Sequence, residues 1–162
     1  MPIFSVKDLS MKLPEGKWLF KDISFDLEEG ETLILQLIPY QKGHCTLFDK
    51  DVNDYTVPIW RSRVMYVPQR PAVHPGTPLD FFKMVKKYAS QKNKNTDDPV
   101  EIGCQFNLSE SHFHEKWSNL SGGEMQRCAL AIAIALNPDI LLLDGKIRNE
   151  VTFLNRQLRT NS

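Results

Sequence analysis

The chain has 162 residues, 41% of them hydrophobic and 25% charged, and a formal net charge of zero. That length suits one domain with a real core, and the charge balance excludes an overall electrostatic pull toward nucleic acid or anionic membrane. No stretch approaches the roughly 18 apolar residues of a spanning helix, no secretory signal opens the chain, and Cys45, Cys104 and Cys128 are odd in number and lack a CxxC, which fits a reducing compartment.

In chain order, residues 4–11 mix apolar and polar side chains as a strand does, and Pro14-Glu-Gly16 reads as a turn. Residues 18–27 form a second strand, with Ile23, Phe25 and Leu27 alternating against Ser24, Asp26 and Glu28. Trp18 is expected in the core. Glu29-Gly30 turns the chain into a buried strand over 32–35. Residues 64–67 form a further strand, closed by Pro68-Gln69-Arg70-Pro71.

Gly76-Thr77-Pro78 starts a helix with Thr77 as cap and Pro78 at its first position, and Leu79, Phe82, Met84 and Val85 form its apolar side. Lys83, Lys86, Lys87, Lys92 and Lys94 run into a polar stretch. Asp97, Asp98 and Glu101 follow at once, so a solvated face explains the run better than a nucleic-acid patch. Residues 99–106 read as a short helix. His112 and His114 stand two apart, whereas helical neighbours are three or four apart, so no metal site is expected there.

Ser121 followed by Glu124 is a capping box, and the mainly Ala, Leu and Ile stretch after it makes a largely buried helix ended by Asn137-Pro138. Ile140 to Leu143 is an apolar run without alternation, as in a parallel strand covered on both faces. Gly122 and Gly123 in the first helical turn open backbone N–H groups to an anion. Asp144, at the carboxyl end of the strand, suits a hydrated Mg²⁺. A capped core helix and a core strand with a chance terminal aspartate account for either piece alone; order and spacing decide between the readings.

LSGGEMQR at 120–127 followed by LLLD at 141–144 closely resembles the signature motif and Walker B strand of ABC-type ATPases. Val64-Met-Tyr-Val-Pro-Gln69 resembles their Q-loop strand, and ISFDLEEGETLIL at 23–35 their N-terminal strands, so the resemblance runs over residues 1–144 in the family's own order. It implies a P-loop NTPase-like α/β fold: a mixed or parallel sheet core, an antiparallel N-terminal β part and a helical subdomain at about 77–118 that docks on a membrane-spanning partner. It also implies ATP and Mg²⁺ as ligands. ATP is held between two ATPase subunits, with Ser121, Gly122 and Gly123 offered to the γ-phosphate on the partner, Gln69 touching Mg²⁺ and the attacking water, and Asp144 holding the metal.

Two parts of that pattern are missing. A phosphate loop needs G-x-x-x-x-G-K-[ST], for a backbone cradle, a phosphate-binding lysine and a Mg²⁺-binding hydroxyl. Residues 36–45 read QLIPYQKGHC instead, so the Walker A loop and the helix it opens, on the order of 15–20 residues, are absent. After Asp144, residues 145–162 carry neither the glutamate that polarises water in the family nor a switch histidine, and form an unrelated tail.

Three readings follow. The first is an ABC transporter ATP-binding subunit by ancestry, coupling ATP hydrolysis to a separate membrane subunit but with negligible hydrolysis of its own. The second is a non-catalytic interaction protein pairing with an intact ATPase subunit. The third is a splice or gene-model product, with an exon skipped after Gln36 and an intron retained near Gly145, whose Gly-Lys can be encoded by a splice-donor sequence. The expected location is cytoplasmic, at a membrane only through a partner.

Overall fold

The computed structural model describes residues 2–28 and 41–143, and contacts divide the chain into two units, Met1–Arg61 and Ser62–Ser162. The strand expected at 32–35, the rest of the break up to residue 40, Asp144 and the tail lie outside the described residues.

In the first unit, β1 (Phe4–Lys12), β2 (Trp18–Leu27), β3 (Lys42–Leu47) and β4 (Lys50–Asp51) form an antiparallel sheet in the order β2-β1-β3-β4. Phe4 and Val6 on β1, Leu27 on β2, and Cys45 and Leu47 on β3 are buried, so one face of the pleat carries the core. The alternation expected along β2 holds only at its end. Asp8 on β1 and Asp22 on β2 adopt left-handed backbone, with φ of 52° and 51°, and the β1–β2 register shifts there. Each aspartate's N–H leaves the ladder and donates to a serine hydroxyl on the opposite strand: Asp8 to Ser24 at 2.8 Å and Asp22 to Ser10 at 2.9 Å. These bulges turn the start of β2 outward. Trp18 is therefore 42% exposed, not in the core, and its ring faces Lys12 Nζ at 4.5 Å and Lys21 Nζ at 5.7 Å. At the same bulge β3 comes so close that a Cβ on Gly43 would stand 2.7 Å from Leu9 Cα, so only glycine fits. Phe48 and Asp49, both with positive φ, turn β3 into β4.

Helix α1 (Val57–Arg63) leads into β5 (Val64–Val67), which pairs in parallel with β6 (Ile140–Leu143), Val64 opposite Ile140 and Val67 opposite Leu143. Between them come α2 (Pro78–Lys86), α3 (Pro99–Gln105), α4 (Glu110–His114) and α5 (Gly122–Ala135). Phe82, Phe106, Phe113 and Trp117 pack with Leu130, Ile132 and Leu136 into one core. Burying each such side chain is worth about 1.5–3 kcal/mol. α2 starts as expected: Thr77 Oγ1 accepts from the Asp80 N–H, and Asp80 returns a bond to the Thr77 N–H at 3.1 Å. Its apolar side is Leu79, Phe81, Phe82 and Val85, while Met84 is exposed. Met84 stands two residues, about 200°, around the helix from Phe82.

Lys94 departs from the solvated basic run. Its Nζ donates to Ser62 O at 2.7 Å and Asn137 O at 3.0 Å, and beside it Arg63 Nε meets Asp139 Oδ2 at 2.8 Å. These bonds fasten the amino ends of β5 and β6, whose ladder runs in register to Val67 opposite Leu143. Burial lowers the lysine's pKa; Asp139 opposes that and Arg63 adds to it.

Candidate functional site

Helix α5 carries the candidate site at its N-terminus. Ser121 is extended, with φ −64° and ψ 161°, and its hydroxyl accepts from the Glu124 N–H at 3.3 Å. Glu124 Oε2 accepts from the Ser121 N–H at 2.7 Å. The box occupies the N–H groups of Ser121 and Glu124, leaving those of Gly122 and Gly123 as the donors of an exposed first turn. Nothing lies within 4 Å of a Cβ built on Gly122. Further along, the helix is buried at Cys128, Leu130, Ala131, Ile132, Ala133 and Ala135, so the core clamps its body while its start faces solvent. Asn137, at φ 50°, closes it in left-handed backbone.

The electrostatics suit an anion at this end. The helix dipole is positive there. Arg127 lies back over the first turn, its Nη1 3.2 Å from where a Gly123 Cβ would be, and its Nε has no hydrogen-bond partner among the described residues. The Ser121 N–H, then the Ser121 hydroxyl, holds the Glu124 carboxyl below its ordinary range, and His112 adds to the effect.

Among the residues expected at the site, Ser121, Gly122 and Gly123 are brought together in one helical turn. Gln69 is exposed, two residues beyond the carboxyl end of β5. Asp144 lies outside the described residues. Among the described residues no cluster of three His, Cys, Asp or Glu side chains could hold a metal ion. His114 pairs with Glu110 at 3.6 Å, and His112 reaches Glu124. The donor set that is described thus fits a phosphate group at α5, whereas Gln69 supplies only one amide oxygen toward Mg²⁺. Two neighbours of the site escaped the sequence reading. Arg127 stands four residues from Gly123, a spacing that could have pointed to it; His112 comes from another helix, with no such signal.

Residues 31–147 match the profile of the ABC transporter family. The chain belongs to that family. It is 31% identical over 150 residues to the mitochondrial ATP-dependent permease MDL1 of Schizosaccharomyces pombe, covering 78% of this chain and 20% of that protein. It is 33% identical over 149 residues to the manganese transport system ATP-binding protein MntB of Bacillus subtilis, covering 86% of this chain and 57% of that one. The chain thus spans a fifth to under three fifths of the length of these curated relatives. Among solved structures, that of cbiO1 from Clostridium perfringens, part of the ABC transporter complex cbiONQ, superposes with a TM-score of 0.70 at 18% identity, covering 98% of this chain and 74% of that one. This likeness shows the fold: a mixed α/β ABC ATPase domain with an antiparallel β part and helices.

Proposed function

We propose that the chain is an ABC ATPase subunit that lends the start of α5 to a nucleotide held by an intact partner subunit and hydrolyses little ATP by itself. The capped first turn, open at Gly122, carries this reading. Ser121, with the Gly122 and Gly123 N–H groups, would hold the γ-phosphate; bound ATP and Mg²⁺ supply the reacting phosphoryl group and its charge neutralisation. The chain's own part is to bind and orient. Gln69 and Asp144 would serve a metal in its own half-site, but G-x-x-x-x-G-K-[ST] occurs nowhere in the sequence. Without that cradle and its lysine, most of the electrostatic stabilisation of phosphoryl transfer is missing.

The helical stretch at about 77–118 would dock on a membrane-spanning transporter subunit. Among the described residues no helix is long and apolar enough to cross a membrane, and a cytoplasmic position held through that partner follows from the reading. The permease and transport-system names of the relatives support such a partnership without defining the cargo.

The test is nucleotide binding by the purified chain, with a fluorescent ATP analogue and Mg²⁺, beside circular dichroism. A folded chain that binds weakly alone, yet co-purifies with a full-length ATPase subunit in ATP, bears the reading out. Micromolar binding by the chain alone would mean that it holds its own phosphate site. Failure to fold would favour the splice-product reading, which transcript sequencing across residues 30–45 and at Gly145 checks directly.

A further inference from the structure

Two helix starts in the second unit are joined through one histidine. α4 begins at Ser109, with His112 at the third helical position; α5 begins at Ser121, with Glu124 at its third. The Ser109 N–H donates to His112 Nδ1 at 3.0 Å, and the Ser109 hydroxyl lies 2.7 Å from the same nitrogen. A backbone N–H can only donate, so this contact uses Nδ1 as an acceptor and places a neutral ring's proton on Nε2, whereas the Ser109 carbonyl, 3.2 Å from the same nitrogen, would suit an Nδ1–H instead. Nε2 stands 3.4 Å from Glu124 Oε1, while the other oxygen, Oε2, takes the Ser121 N–H at 2.7 Å. The side chains of His112 and Glu124 are 27% and 30% exposed.

We propose that His112 is a positioning residue for the start of α5. Its Nε2–H holds Glu124, and Glu124 fixes the Ser121 backbone from which the Gly122 and Gly123 N–H groups are aimed. The two ends of the carboxylate are thereby tied to different elements, so the first turn cannot swing without breaking one of them. α4 is anchored by Phe113, which is fully buried, so the histidine transmits the rigidity of the core to an exposed helix start. The functional half of this inference rests on the reading of Ser121, Gly122 and Gly123 as a nucleotide contact.

The test uses the full chain and two substitutions that split the ring's functions. His112→Gln keeps an N–H donor near the Nε2 position, and His112→Asn keeps an acceptor near Nδ1. Amide hydrogen exchange at Ser121 and Glu124 should quicken about fivefold in His112→Asn, the scale of a lost capping interaction, and stay near wild type in His112→Gln. The reverse order would make His112 a cap for α4 alone and overturn the proposal. Nitrogen-15 imidazole shifts of the wild-type chain should report the neutral Nε2–H tautomer; the Nδ1–H tautomer would overturn it without any variant. ATP-dependent capture of an intact subunit is the second readout. If wild type captures none, the nucleotide-contact reading fails while exchange still decides the strut; if wild type and His112→Asn capture alike, the positioning role fails.

Discussion

Cys128 and Cys104 show how far local environment separates two identical side chains. Burial in α5, reinforced by Glu124 and opposed by Arg127, pushes the Cys128 thiol up to about 12, whereas Cys104 is exposed on α3. The thiolate is the nucleophile. Brief iodoacetamide treatment of the native chain should therefore alkylate Cys104 and spare Cys128, with both modified after denaturation, as peptide mass spectrometry would show. Modification of native Cys128 would mean that the helix body opens readily. Glu124 gives a pH dependence. Its folded pKa lies below the ordinary 4.5, so its charge stabilises the fold fully above that value, and the contribution is lost as pH falls through the folded pKa. Glutamine can still accept the Ser121 N–H. Urea midpoints of wild type and Glu124→Gln should thus differ most near neutral pH and converge in acid; a gap constant down to pH 3 would exclude a role for the charge.

At the scale of elements, packing tolerance differs sharply between two glycines. A Cβ at Gly103 in α3 would stand 2.4 Å from Phe113 Cε2 and 2.5 Å from Cζ, and Phe113 is fully buried. Gly103→Ala should cost about 1–3 kcal/mol in urea unfolding, the usual cost of overpacking. Gly122→Ala should leave stability within about 0.5 kcal/mol, as nothing stands in its way. Elements of this kind were legible where signals were local. Ser121 with Glu124, Thr77 with Pro78, and the unalternating run before Asp144 all describe short-range chemistry, and the helices and β6 stand where those signals put them. What escaped was tertiary. The outward turn of Trp18 depends on paired bulges between β1 and β2, the burial of Lys94 on carbonyls 32 and 43 residues away, and the place of His112 on a neighbouring helix. A histidine at the third helical position also lacks the Glu or Gln that makes a capping box readable.

For the whole molecule, the proposed reading makes each nucleotide site from two chains, so a chain can be defective in one half-site and competent in the other. This sequence has an intact signature segment at 120–124 and no phosphate-loop motif. Paired with an intact ABC subunit, it should therefore support a single composite site: the partner's phosphate loop facing Ser121, Gly122 and Gly123. The opposite site, which needs a phosphate loop from this chain, should stay empty. Equilibrium dialysis of the mixed pair with a slowly hydrolysed ATP analogue should find half the nucleotide bound by a pair of intact subunits. Gly122→Ala separates this from non-specific association: it leaves folding intact but places a methyl group where the phosphate must approach the backbone, so occupancy should fall while circular dichroism does not change. Full occupancy of the mixed pair would place a working phosphate site in this chain; retention unaffected by Gly122→Ala would put the nucleotide somewhere other than the start of α5.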